Sequence, residues 1–255
     1  MQNSKRTRNA ITVVGSMNMD LSVSTHNLPK PGETVVGGAL NQSPGGKGAN
    51  QAVAAALLGA KVSLIAMTGD DSFGKALVDS ALSAGVDTSL VQVDFMKNTG
   101  TAVITVDSNA ENTIVISPGA NESLSPSLAK ACLFNAGDIS VLSACMEVPY
   151  ATVEEALRTG RELGAMTILN LSPFDRTALD LLPLADVLLV NRHELEEIVG
   201  EDVVRAGWLT AKASLGNLGS KSVVVTLGAE GAVILECDKE NSLPLPVQAV
   251  KVQPV

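Results

Sequence analysis

Pro44-Gly-Gly-Lys-Gly-Ala-Asn50, continued without a break by Gln-Ala-Val-Ala-Ala-Ala-Leu-Leu58, is the stretch from which the rest of the chain can be read. Its second half is an apolar, alanine-rich helix pattern, so the glycines sit where a loop becomes a helix N-terminus. Glycine has no Cβ, which lets the backbone bend sharply and lets a ligand approach bare N–H groups. Those groups carry the positive end of the helix dipole and suit an oxygen-rich ligand such as a sugar, phosphate or carboxylate. A tight connection alone would also use Gly45, Gly46 and Gly48, but it would not need Lys47 and Asn50 beside an otherwise buried helix. The stretch is no Walker A loop, since the four-residue spacer is missing and no Ser or Thr follows the lysine. Nor is it a dinucleotide fingerprint: the glycine spacing is wrong, and a polar loop rather than the end of a buried strand precedes it.

Around this stretch strands alternate with helices. Ile11-Thr-Val-Val-Gly15 reads as a buried strand, and extended pieces follow at 21–24 and 34–40, on either side of the turn Pro29-Lys-Pro-Gly-Glu33. Further strands are expected at 61–67, 139–144, 166–169, 186–190, 221–226 and 231–235, with helices at 72–84, 152–163 and from Arg192. Residues 101–107 and 112–117 read as a hairpin, and Ser125 with Pro126 opens a helix as N-cap and first-turn proline. The alternation predicts an α/β fold, a mainly parallel central sheet covered on both faces. Ligands bind such sheets at the carboxyl ends of the strands. Asn18 and Asp20 follow the first strand, Glu147 follows Leu142-Ser-Ala-Cys-Met146, Asn191 follows Leu188-Leu-Val190, and Gly228 follows Val223-Val-Val-Thr-Leu227. A single polar residue at a strand end is ordinarily a helix cap, whereas several converging on one crevice make a site.

Composition narrows the class. With 255 residues the chain can bury a sizeable core, which must be built from Ala, Val, Leu and Ile because aromatics are only 2% of the sequence. A net charge of -9 argues against a nucleic-acid partner or an acidic membrane surface. The odd, scattered Cys132, Cys145 and Cys237 lack metal-ligand spacing and suggest reduced thiols in a cytoplasmic protein. The basic start with Lys5, Arg6 and Arg8 lacks the apolar run of a secretory signal, and no stretch is long enough to span a membrane.

Val14-Gly-Ser-Met-Asn-Met-Asp20, Pro31-Gly-Glu-Thr34, Gly45-Gly-Lys-Gly-Ala-Asn-Gln51, Thr68-Gly-Asp-Asp-Ser-Phe-Gly74, Gly119-Ala-Asn121, Asn191-Arg-His-Glu194 and Thr226-Leu-Gly-Ala-Glu-Gly231 occur in this order. Together they resemble the ribokinases of the PfkB family of sugar kinases, over essentially the whole chain. The resemblance implies one ribokinase-like domain with a small β lid from strands at about 20–41 and 98–118. It also implies ATP-dependent phosphorylation of D-ribose at O5, with Mg2+ and K+ as cofactors, and a homodimer formed through the lid. Asn18, Met19, Asp20, Gly46, Lys47, Gly48, Ala49, Asn50 and Glu147 would then bind the sugar. Asn191 and Thr226, Leu227, Gly228, Ala229, Glu230 and Gly231 would line the nucleotide pocket, and Glu194 would act on Mg2+ through water. Asn191 and Glu194 equally suit a capping box, and both readings hold together. His193 reads as an exposed helix residue rather than a base.

One departure bears on catalysis. In the family the segment matching Val247-Gln-Ala-Val250 is followed by an aspartate and a Gly-Ala-Gly-Asp run that supplies the anion hole and the general base. Here Lys251-Val-Gln-Pro-Val255 follows instead. Lysine is protonated at neutral pH and cannot accept a proton. Losing an anion hole alone costs on the order of 10²–10³ in rate, so impaired turnover is expected. The alternative is a non-catalytic, sugar-binding or dimer-forming variant.

Overall fold

The structure is a computed structural model that describes residues 10–250, so the basic start of the chain and Lys251-Val255 lie outside the described residues. The chain opens with β1 (Ala10–Val14), β2 (Asn18–Ser24), β3 (Asn41–Gly45), α1 (Lys47–Leu57), β4 (Lys61–Ile65), β5 (Met67–Gly69) and α2 (Ser72–Ser83). It continues with β6 (Val86–Asp87), β7 (Gln92–Asp94), β8 (Gly100–Val106), β9 (Asn112–Ser117), α3 (Pro126–Asn135), β10 (Val141–Cys145), α4 (Tyr150–Glu162) and β11 (Met166–Asn170). The last third holds β12 (Val187–Asn191), α5 (Arg192–Val199), α6 (Glu201–Arg205), α7 (Trp208–Asn217), β13 (Ser222–Thr226), β14 (Ala232–Glu236) and β15 (Leu245–Val247).

Nine strands form the central sheet in the order β15-β14-β13-β12-β11-β10-β1-β4-β6. The run from β6 to β13 is parallel, while β14 and β15 return antiparallel. Successive side chains of a strand point to opposite faces, and β1 shows it. Val14 belongs to the core layer that holds Leu142, Leu157, Leu195 and Leu215, whereas Val13 belongs to the layer of Ala52, Leu64 and Leu77. Each fully buried leucine in these layers stabilises the fold by about 1.5–3 kcal/mol relative to exposure. Cover is uneven, however. On the face that α1 and α2 protect near β1 and β4, Ile168, Leu189, Val224 and Ile234 of the farther strands are only half-buried. The sheet is flanked by helices as expected, with thinner cover at that end.

A second sheet, ordered β3-β2-β8-β9, stands apart from the first. It contains the expected hairpin, but its outer strand is not where sequence put it. Residues 34–40 are irregular, since Val36 finds nothing to bury against and Gly37-Gly38 follow. The strand is instead the polar Asn41–Gly45, which pairs antiparallel with β2 and exposes four of its five residues. Pairing rather than apolar alternation makes this edge strand, so the segment before the glycines is neither a loop nor a buried strand. The expected strand 61–67 also breaks at Ala66, where β5 leaves the central sheet to pair with β7. The cap at Ser125 is as expected, its hydroxyl accepting from Leu128 N–H at 3.2 Å.

Candidate active site

The site begins where β1 hands the chain from the large sheet to the small one, through Gly15-Ser16-Met17. The first turn of α1 lies against that crossing at backbone distance. A Cβ at Gly48 would stand 2.6 Å from Gly15 C and Ser16 N, and Gly46 enters the helix at φ 92°. Only glycine allows both.

This packing decides what the helix N-terminus holds. Lys47 N–H donates to Glu147 Oε2 at 2.9 Å, Gly48 N–H to Ser16 Oγ at 3.4 Å, Ala49 N–H to the Ser16 carbonyl at 2.9 Å, and Asn50 N–H to the Gly46 carbonyl at 2.9 Å. The sequence reading of bare N–H groups awaiting a ligand is corrected here: the protein supplies its own anion, Glu147, because a carboxylate at the positive end of a helix is stabilised. Gly46, Gly48 and Ala49, all buried, shape the site by close approach. Met19 is likewise in the core, 4% exposed, and its side chain packs with Met17 and Ala49.

Glu147 follows β10 and gathers the other polar groups. Ser16 Oγ–H donates to its Oε2 at 2.5 Å and Asn18 Nδ2 approaches the same oxygen at 3.5 Å. Lys47 Nζ stands 3.4 Å from Oε1, which keeps accepting capacity for a ligand hydroxyl. Asp20, two residues along β2 from Asn18, is pushed above the usual carboxylate range by burial and by the Glu147 charge, with Lys47 opposing. Asn18 and Glu147 thus line one cleft, with Lys47 paired to Glu147 and the Asp20 carboxyl within the field of both charges. Asn18 is held from behind by Asn121, whose Nδ2 donates to Asn18 Oδ1 at 2.8 Å.

Two clefts flank this group. The larger, about 700 Å3, is lined by Asn18, Lys97, Ile116, Asn121, Glu122 and Glu147 among others. The smaller, about 300 Å3, is lined by Lys47, Asn50, Gln51, Asn170, Asn191, Glu194 and Thr226 among others. The Lys47–Glu147 pair bridges them, because Lys47 lines one and Glu147 the other. Gln51 Oε1 accepts from Ser143 Oγ at 2.6 Å, while its buried Nε2 has no partner among the described residues.

The far wall of the smaller cleft is built locally. Asn191 Oδ1 accepts from Glu194 N–H and Glu194 Oε2 from Asn191 N–H, both at 2.8 Å, a complete capping box for α5. Glu194 is buried, and among the described residues no cluster of three or more His, Cys, Asp or Glu could cage a metal. His193 is exposed, as expected. Thr226 ends β13, Leu227 N–H bonds the Gly231 carbonyl at 2.8 Å, and Gly228, Ala229 and Glu230 lie exposed in a single turn. Glu230 pairs with Arg192 across the turn at 3.3 Å.

Sequence reasoning missed Ser16, Asn121, Gln51 and Asn170 as site-forming residues. Ser16 and Asn170 stand at carboxyl ends of central strands, the position that drew attention to Asn18 and Glu147. Asn121 follows no central strand; it entered only through the run Gly119-Ala-Asn121, and its bonds to Met17 and Asn18 span more than 100 residues.

Residues 8–255 match the family described as pfkB family carbohydrate kinase. The chain is 36% identical over 228 residues to a ribokinase of Haemophilus influenzae, covering 89% of this chain and 74% of that one. It is 34% identical over 236 residues to a deoxyribokinase of Salmonella typhi, covering 92% and 77%. Among solved structures, Arabidopsis thaliana ribokinase complexed with ribose and ATP superposes with a TM-score of 0.81 at 25% identity, covering 97% of this chain and 80% of that one.

Proposed function

The chain belongs to the pfkB family of carbohydrate kinases, and from that premise we propose that its reaction is transfer of the terminal phosphoryl group of ATP to O5 of D-ribose, giving D-ribose 5-phosphate and ADP. One observation carries this reading: a cleft lined by Asn18 and Glu147 stands beside a second polar cleft, with Lys47 on the border and the Asp20 carboxyl within the field of Glu147 and Lys47. A carboxylate accepts from adjacent hydroxyls of a sugar, and Asp20 with the free capacity of Glu147 offers two such acceptors. Their burial makes an unpaired partner costly, which favours a fully hydroxylated pentose over a deoxy analogue.

The smaller cleft fits the triphosphate end of a nucleotide. Its unpartnered Gln51 Nε2 is a donor in want of an oxygen, and Asn50, Asn191 and Thr226 line the same space. ATP would supply the phosphoryl group, with Mg2+ neutralising its charge. Glu194 alone would meet that ion through water, consistent with the preference of Mg2+ for water and phosphate oxygens. K+, implied by the resemblance, takes no part in the proposal. Lys47, on the border of the clefts, would hold the sugar oxygen and the transferred group within one field.

The small sheet, with half-exposed Val103, Ile114, Val115 and Ile116, is the proposed lid and the surface of a homodimer. Similarity to the Salmonella typhi deoxyribokinase makes 2-deoxy-D-ribose the competing substrate. Calorimetry with both sugars, followed by a coupled assay for ADP, separates the readings. Saturable ribose binding with ribose-dependent ADP formation is expected. Preference for 2-deoxyribose overturns the choice of substrate, and binding of neither sugar overturns the sugar site.

A further inference from the structure

Asn121 is 1% exposed, and its surroundings fix which end of its amide is which. Met17 N–H donates to its Oδ1 at 3.0 Å, while its Nδ2 faces the carbonyls of Met17 at 3.2 Å and Pro118 at 3.0 Å. A backbone N–H can only donate and a carbonyl can only accept. The remaining contact of Nδ2, 2.8 Å to Asn18, must therefore be to an acceptor, Asn18 Oδ1. That turns Asn18 Nδ2 toward Glu147 Oε2 and into the larger cleft. The two amides meet only because residue 100 is glycine. A Cβ there would stand 2.2 Å from Asn121 Nδ2 and 2.3 Å from Asn18 Oδ1.

We propose that Asn121 is a positioning residue that sets the polarity of Asn18, so that a donor at Asn18 and an acceptor at Glu147 together select one hydroxyl of the ligand. The inference rests on the sugar reading and deepens it. A hydroxyl accepts from one partner and donates to the other, and its oxygen then satisfies both. A C–H in its place leaves the second Asn18 amide hydrogen and the spare capacity of Glu147 unmet, and an ether or carbonyl oxygen leaves that carboxylate capacity unmet. Were Asn18 reversed, its oxygen would face the Glu147 carboxylate and the site would hold two acceptors side by side. Discrimination at this hydroxyl thus depends on a residue that never touches the sugar.

The test measures calorimetric Kd values for D-ribose, 2-deoxy-D-ribose and 3-deoxy-D-ribose with the wild-type chain, Asn121→Asp and Gly100→Ala. Asn121→Asp keeps the shape and the bond from Met17 N–H but presents an acceptor to Asn18, which favours reversal of that amide. Gly100→Ala pushes the two amides apart without altering either. Wild type is expected to disfavour one deoxyribose by at least ~10-fold relative to ribose, with both variants narrowing that ratio toward one and leaving the other ratio in place. Equal binding of all three sugars by wild type overturns the proposal. So do ratios that stay put in the variants, whatever the loss of ribose affinity, since that is the mark of a purely structural residue. If wild type binds no pentose, the sugar reading fails, and with it the selection of a sugar hydroxyl. The polarity of Asn18 is then decided on the wild-type chain by NMR. Asn18 Nδ2 and Lys47 N converge on the same Glu147 oxygen, so a nuclear Overhauser contact between their protons is expected. Its absence, with Asn18 side-chain protons contacting those of Asn121 instead, contradicts the assignment.

Discussion

The proposed sugar-side junction at β1, α1 and β10 and the proposed nucleotide-side turn at β12 and β13 both occupy carboxyl ends of one sheet, yet they are held differently. At the junction, Ser16 meets Glu147 across 131 positions, Lys47 meets Glu147 across 100, and Met17 meets Asn121 across 104. At the turn, Asn191 and Glu194 satisfy each other three positions apart, and the Arg192–Glu230 pair is exposed. The first arrangement exists only in the folded chain and leaves carboxylate capacity unused. The second is complete as a helix cap and needs no ligand to explain it. Polar residues at strand ends therefore carry different weight according to whether their partners are local.

The contrast can be broken first at the glycines. In Gly48→Ala the new Cβ meets the backbone of Gly15 and Ser16, so about 3 kcal/mol of stability and most ribose affinity should be lost. In Gly228→Ala nothing lies within 4 Å, and only the left-handed φ of 58° opposes the change, at about 1 kcal/mol. Thermal unfolding of the two variants reads the difference directly, and equal losses would erase it.

Asp20→Asn separates stability from binding. Its folded pKa is raised, so the folded state favours the protonated acid. Stability at this position rises as pH falls through that pKa, and the ionised form above it is the destabilising one. The neutral amide should raise Tm at pH 7 while weakening ribose about 10–100-fold, the range of a charge-assisted hydrogen bond. A lowered Tm would mean that the charge is stabilising after all. Ser16→Ala is milder: Glu147 keeps its bonds from Lys47, and ribose affinity should fall about 5–10-fold as the carboxylate loosens. Asn191→Ala sets the lower bound, removing one side of a capping box at a cost of about 1 kcal/mol with ribose affinity unchanged.

Much of the fold was readable because its signals are local. Buried strands such as Val187–Asn191 are continuous apolar runs, and Ser125-Pro126 announces its helix. The edge strand Asn41–Gly45 was not readable, since it owes its conformation to β2 and presents polar residues to solvent. In the site, Asn18, Asp20 and Glu147 stood out as polar residues just past apolar strands. The satisfied N–H groups at Lys47 and Gly48 could not be foreseen, because their acceptors on Glu147 and Ser16 arrive from other strands.

The central claim is that Asp20, Asn18 and Glu147 form one pentose-binding crevice, and a calorimetric titration of the folded 255-residue chain with D-ribose tests it most directly. The account predicts one saturable site per chain, weakened at least ~10-fold in Asp20→Asn. A folded chain that takes up no ribose at millimolar concentration, or an Asp20→Asn variant that binds it as well as wild type, would contradict it.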